Sequence, residues 1–237
     1  MEKERKVSLS KDATPRLVMT LAVTLTLLLF SQSQSWAQEA SKSNFYLKGM
    51  LGIGGIKKIP TRMWTTENEE VKVGTGFNIE GALGYMVTST SMVEVGLGYQ
   101  SSWESPTVSN GAAYFKRIPL TATFIYQFPS QTSYQFYFGG GGGLYLSPEF
   151  YREVEGLFET KVKYNSSSGF HGLVGVSPKS EESSLFWFGE FKYVGGIKYK
   201  FKEGTDEDGI KIYVDAMGWE EIDGNQWILN MGIGYHL

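Results

Sequence analysis

Residues 116–128 read KRIPLTATFIYQF, and this stretch decides the fold class. Alternate positions are apolar (Ile118, Leu120, Ala122, Phe124, Tyr126 and Phe128), and the other positions include the polar residues Arg117, Thr121 and Thr123. A period of two is that of an extended strand, whose side chains point in turn to two different environments. The stretch therefore predicts a β-strand with one apolar face and one largely polar face.

The same alternation recurs in seven other segments of the chain. They are residues 45–53, 77–87, 92–100, 134–146, 170–177, 185–193 and 227–237. Short polar turns separate some strands (88–91, 129–133 and 178–184), and long connections separate the others (54–76, 101–115, 147–169 and 194–226). An antiparallel meander places every second connection at the same end, so one rim is predicted to carry tight turns and the other four long loops. In the last loop, Ile210, Ile212 and Val214 alternate with polar residues, which predicts that strands seven and eight continue as a protruding acidic hairpin.

The N-terminal segment has the pattern of a secretory signal peptide. A region containing Lys3, Arg5 and Lys6 precedes the apolar run LVMTLAVTLTLLLF at residues 17–30, and the small residues Ser35 and Ala37 follow. This run is shorter than the roughly 20 residues that a membrane-spanning helix needs. The pattern predicts cleavage after Ala37, with residues 1–37 as signal peptide and 38–237 as one folded domain.

The polar face of the eight segments distinguishes a membrane barrel from a soluble one. It carries six charged residues (Lys48, Glu80, Glu94, Arg117, Glu190 and Lys192) and many glycines, whereas the apolar face carries no charge. Glycine weakens a water-exposed strand, but it suits the crowded interior of an eight-stranded barrel. A soluble barrel with an apolar interior, such as a lipocalin, is the less favoured alternative. The prediction is an all-β fold, an eight-stranded antiparallel up-and-down transmembrane β-barrel with its apolar face toward lipid.

The six charged residues are predicted to form a cluster inside the lumen. Three are basic and three are acidic, so they can neutralise one another in a site with little room for water. Arg117 is expected to pair with Glu80 or Glu94, and the cluster is expected to plug the lumen.

The C-terminal residues NMGIGYHL resemble the assembly signal of outer-membrane proteins in Asn230, Gly232, Tyr235 and the terminal apolar Leu237, where Phe is usual. With the eight-strand layout, the chain resembles the small OmpX/OmpA-type outer-membrane barrels. The resemblance implies a location in the outer membrane of a Gram-negative bacterium. It also implies contact with outer-membrane lipid and recognition by the barrel-assembly machinery.

Composition narrows the possible functions. The net charge of −3 disfavours nucleic-acid binding, and the absence of cysteine removes disulfides and thiolate chemistry. The two histidines, His171 and His236, do not supply the His-x-Ser arrangement of the lipid A deacylase barrels, so no catalytic, cofactor-binding or metal-binding residues are predicted. The leading hypothesis is a monomeric, non-enzymatic barrel with a structural or surface-interaction role and an extracellular partner at the long loops. A narrow OmpW-like channel for small or hydrophobic solutes is the alternative, and a lipid-modifying enzyme is third.

Overall fold

The computed structural model describes residues 44–56, 59–62, 68–71, 75–107, 111–154, 158–179, 183–206, 208–211 and 220–237. These residues form thirteen strands: β1 (Phe45–Ile56), β2 (Ile59–Arg62), β3 (Asn68–Val71), β4 (Thr75–Met86), β5 (Ser91–Thr107), β6 (Gly111–Gln127), β7 (Tyr134–Val154), β8 (Phe158–Tyr164), β9 (Ser167–Pro178), β10 (Leu185–Gly195), β11 (Lys198–Asp206), β12 (Glu221–Asp223) and β13 (Gln226–His236). Within these ranges there is no helix long and apolar enough to span a bilayer.

Eight of the strands close into a barrel. The order of neighbours is β1, β4, β5, β6, β7, β9, β10 and β13, and β13 pairs again with β1. Every one of these pairs is antiparallel, and the β7–β9 ladder from Tyr134↔Pro178 to Tyr145↔Ser167 belongs to the closed ring. Closure leaves these strands without a free edge inside the membrane, where an unpaired backbone group would be costly. The predicted eight-stranded antiparallel barrel is confirmed.

The apolar face points outward, as the period of two predicts. Leu97 on β5 is 59% exposed and Met231 on β13 is 71% exposed. Glu94 and Asn230, which have the opposite parity on the same two strands, are buried. So much contiguous exposed apolar surface would favour aggregation in water, but lipid solvates it. The outward side chains are therefore the lipid contact of the barrel.

The rims differ as expected, but several strands are longer than the alternation indicates. β5 continues to Thr107, β6 begins at Gly111, and β7 continues to Val154, so much of the predicted loops 101–115 and 147–169 is strand. Beyond the apolar belt the outward face meets water instead of lipid. Outward positions such as Lys116 and Glu149 are then polar, whereas the inward Phe115 and Phe150 are buried, so the apolar outward face ends before the backbone ladder does.

Beyond the membrane, β8, β11 and β12 join the upper ends of β6 and β7 in what we call the external sheet. At Ser147, which has a φ of 49°, β7 exchanges its lower partner β9 for β8. β11 then pairs with β8 and β12. As predicted, strands seven and eight continue beyond the barrel as a hairpin, in which β11 and β12 pair from Lys198↔Asp223 to Lys200↔Glu221. The sequence did not indicate that a bend at Gly196 (φ 73°) also brings β11 beside β8 in the external sheet. Of the hairpin's alternating residues, Ile212 and Val214 lie outside the described ranges.

Candidate functional site in the barrel lumen

Five of the six predicted lumen charges lie together at mid-height. Lys48 Nζ contacts Glu94 Oε1 at 2.5 Å and Glu190 Oε2 at 3.3 Å. Lys192 Nζ lies 3.0 Å from both carboxylate oxygens of Glu80. All five residues are buried, so water does not screen these pairs. Each carboxylate has a cation, which is the arrangement that makes buried charge tolerable.

Tyrosine hydroxyls complete the coordination of this charge cluster. Tyr46 donates to Glu94 Oε1 at 2.7 Å, and Tyr137 donates to Glu190 Oε2 at 3.1 Å. The cluster holds three carboxylates and two lysines, so it carries one negative charge in excess, which these donors help to stabilise. The Lys48 ammonium also lies 4.7 Å from the centroid of the Phe188 ring.

Arg117 lies apart from this cluster, and the prediction that it pairs with Glu80 or Glu94 is wrong. Its Nε donates to Gln100 Oε1 at 2.7 Å, and one terminal nitrogen donates to the Tyr199 hydroxyl at 2.8 Å and the Gly224 carbonyl at 2.9 Å. The register is the reason. Arg117 stands opposite Gln100, which is six residues along β5 from Glu94 toward the rim with the long connections.

An amide network fills the level between the charge cluster and Arg117. Asn78 donates to Asn230 at 2.9 Å, and Gln100 donates to Asn78 at 3.0 Å. Gln226 donates to Gln100 at 2.7 Å. Because these side chains come from β4, β5 and β13, the network ties different strands together across the interior.

The lower lumen contains aromatic and aliphatic side chains that the sequence pattern of charges and glycines did not predict. The buried members are Tyr46, Met92, Ile125, Tyr137 and Leu173. Their tyrosine rings lie over glycines on neighbouring strands: a Cβ at Gly84 would collide with the Tyr46 ring, and one at Gly175 with the Tyr137 ring. The signal in the sequence was a tyrosine on the inward parity of one strand and a glycine on the next, but recognising the pair requires the register.

The barrel opening at the rim with the long connections lies beneath a second apolar cluster, which we call the cap. Its buried members are Phe115, Tyr145, Phe150, Val162, Tyr164, Val194, Ile197, Tyr199, Ile222 and Ile228. Tyr199 of the cap lies on β11, where its ring packs beside the Phe115 ring and its hydroxyl accepts a hydrogen bond from Arg117. Burial raises the pKa of the Tyr164 hydroxyl on β8, so this side chain stays neutral at physiological pH.

The residues of the predicted assembly signal all lie on β13 or just after it. Asn230 and Gly232 face inward, where Asn230 joins the amide network and a Cβ at Gly232 would meet the Phe188 ring. Tyr235 is partly exposed and Leu237 is exposed.

His171 lies inside the barrel, and His236 lies at its rim. His171 Nε2 lies 2.8 Å from Thr123 Oγ1 in the lumen, and His236 packs beside the rings of Tyr46 and Phe186. In the described part of the chain, no three His, Asp or Glu residues are grouped as ligands for a metal ion.

Comparison with known proteins agrees with this architecture. The model of the outer membrane protein beta-barrel domain family matches residues 22–236. The crystal structure of Neisserial surface protein A shares 16% identity, covering 84% of this chain and 100% of that chain, with a TM-score of 0.50. The crystal structure of the outer membrane protein OprG from Pseudomonas aeruginosa also shares 16% identity, covering 83% of this chain and 97% of that chain, with a TM-score of 0.56.

At this identity the likeness to the two solved structures concerns the fold alone, and no curated protein sequence matches the chain. The family match extends over nearly the whole chain and agrees with the closed barrel and its apolar outer surface. The chain belongs to the outer membrane protein beta-barrel domain family and is an eight-stranded barrel of the outer membrane.

Proposed function

We propose that this protein is a non-enzymatic barrel with a closed lumen that holds the external sheet at the cell surface for a structural or interaction role. The observation that carries the proposal is the filling of the lumen at successive levels. An apolar layer occupies the rim with the short turns, the charge cluster and the amide network follow, and the cap covers Arg117.

Packing argues against a conduit. An eight-stranded barrel has an interior only just wide enough for its own side chains. Here the ion pairs and hydrogen bonds cross between strands, so opening a path for a solute would break several of them at once. Breaking a buried ion pair is strongly destabilising, since it leaves a charge without a partner. These contacts support a closed lumen over the narrow-channel alternative.

The surface role follows from the external sheet. Its inner face is anchored by the cap, and its outer face presents charged side chains such as Lys198, Lys200 and Glu221. We propose that an extracellular partner binds at this end, that the barrel acts as a monomer, and that the barrel-assembly machinery reads β13.

The absence of native cysteine permits a direct test with single cysteines and a membrane-impermeant maleimide. Thr121→Cys places the thiol in the buried lumen, Lys200→Cys on the external sheet, and Gln131→Cys in an exposed short turn. On intact cells, we expect labelling at position 200 only. Permeabilising the outer membrane should add position 131, and only unfolding should add position 121. Rapid labelling of Thr121→Cys in the folded barrel would contradict the closed lumen.

A further inference from the structure

A pair of tyrosines lies on the outward side of the barrel wall where the apolar belt ends. Tyr114 on β6 stands opposite Tyr151 on β7, with ring centroids 4.6 Å apart and planes at 21°. Both rings remain partly accessible to solvent. A stacked pair of this kind presents a flat apolar surface edged by hydroxyl groups.

Two lysines flank this pair and share one carboxylate. Lys116 Nζ lies 2.9 Å from Glu149 Oε2, and Lys161 Nζ lies 3.4 Å from the same oxygen. Each ammonium has three donors, so contact with Glu149 leaves donors on both lysines for a second acceptor. Lys116, Lys161 and Glu149 together carry one net positive charge, and the nearby Glu159 offsets it. The patch is therefore close to neutral, and its lysines offer a phosphate hydrogen-bond donors and not a large net charge.

The height of this patch on the barrel indicates what it meets. On the outward face of β6, Ile118 and Leu120 are exposed to lipid, and Lys116 is the next outward residue. With a rise of about 3.3 Å per residue, Lys116 is about 7 Å along the strand from Ile118, and Tyr114 is about 13 Å from it. The patch therefore lies at headgroup level, at the rim that carries the external sheet.

We propose that Tyr114, Tyr151, Lys116 and Lys161 bind the phosphorylated sugar headgroup of an outer-leaflet lipopolysaccharide molecule. The lysines would contact a phosphate of the glucosamine disaccharide, and the tyrosine pair would pack against a sugar ring. The acyl chains of the same molecule would lie along Ile118 and Leu120. Both sugar and phosphate are needed to match this patch, which distinguishes it from a general preference for anionic lipid.

A neighbouring ion pair provides a matched control. Lys163 lies on the same strand as Lys161, and its Nζ contacts Glu203 Oε1 at 2.6 Å. Register places Lys163 opposite Glu149, whereas Lys161 stands opposite Tyr151 beside the aromatic pair. Replacing Lys163 thus removes the same charge from the same sheet without removing a lysine next to the tyrosines.

The test uses the full barrel refolded in detergent micelles and native mass spectrometry with diphosphoryl lipid A as the probe. The Lys116→Gln/Lys161→Gln double variant should bind about tenfold more weakly, which is about 1.4 kcal/mol. Lys161→Gln alone should lose part of this binding, whereas Lys163→Gln, which also removes a single charge, should bind like the wild type. Unchanged binding by the double variant, or an equal loss in Lys163→Gln, would overturn the proposal.

A second arm separates the sugar contact from the phosphate contact. Tyr151→Leu keeps an apolar strand residue but removes the ring, so it should weaken binding of both diphosphoryl and dephosphorylated lipid A. The lysine double variant should affect only the phosphorylated form. If free glucosamine phosphate bound as tightly as lipid A, the membrane-level site proposed here would be wrong. Heat-modifiable mobility on gels confirms that each variant is folded before binding is measured.

Discussion

Replacing Lys48 by Met removes the cation between two buried carboxylates while keeping most of the side-chain volume. The ammonium lies 2.5 Å from Glu94 and 3.3 Å from Glu190. At an effective dielectric constant of 20, each contact supplies an attraction of about 5–7 kcal/mol before desolvation is counted. Glu190 retains the field of Lys192, whereas Lys48 is the only cation within ion-pair distance of Glu94 among the described residues. The loss of stability in Lys48→Met therefore depends mainly on Glu94.

Without Lys48, the Glu94 carboxylate is buried with no cation within ion-pair distance among the described residues. Removing one partner of a buried ion pair typically costs about 3–5 kcal/mol, because the other charge is left uncompensated. We therefore expect Lys48→Met to lower the free energy of unfolding by about 3–5 kcal/mol at pH 7.

Urea unfolding of the barrel in phospholipid vesicles, followed by tryptophan fluorescence, measures this loss. Lys163→Met is the matched control, because its 2.6 Å pair with Glu203 is exposed, and such surface pairs contribute at most about 1 kcal/mol. Adding Glu94→Gln to Lys48→Met should restore much of the stability, since it removes the orphaned charge. If Lys48→Met lost no more than Lys163→Met, the buried charge cluster would not have the energetic role assigned to it.

Other changes test the lipid face, the ring–glycine contacts and the external sheet. Leu120→Arg on the outward face should destabilise the barrel in vesicles by about 2–4 kcal/mol; an unaffected urea midpoint would mean that the face is assigned wrongly. Gly84→Val should displace the Tyr46 ring and lower thermal stability, and a wild-type melting curve would show that the ring does not need the glycine. The hydrogen bond from Lys163 lowers the pKa of Glu203, so carboxyl NMR should show Glu203 titrating below the usual glutamate range in wild type and within it in Lys163→Gln.

The two faces of the barrel wall follow from the alternation of side chains, and the charges and glycines on one face identify the other as the lipid face. Leu120 and Thr121 are adjacent in the chain, yet one is exposed to lipid and the other is buried in the lumen. Because strand geometry fixes this alternation, identifying one face assigns the other. The presence of Lys48, Glu80, Glu94, Glu190 and Lys192 on the inward parity was predictable for the same reason.

Which inward residues touch was not predictable, because it depends on register between strands. Arg117 has the correct parity but stands opposite Gln100, so it meets amide and hydroxyl groups instead of a carboxylate. The ring–glycine pairs required the same information. The change of partner in β7 at Ser147 was also hidden, since local alternation does not identify the neighbouring strand.

Ion conductance of the refolded wild-type barrel in planar bilayers tests the central claim most directly. A lumen filled by the apolar layer, the charge cluster and the amide network under the cap predicts no steady conductance above the bare membrane. Lys48→Met should remain closed as well, because its side chain still fills the bore. Steady, voltage-independent conductance by the wild type that Gly96→Trp abolishes would contradict the closed lumen and favour a channel.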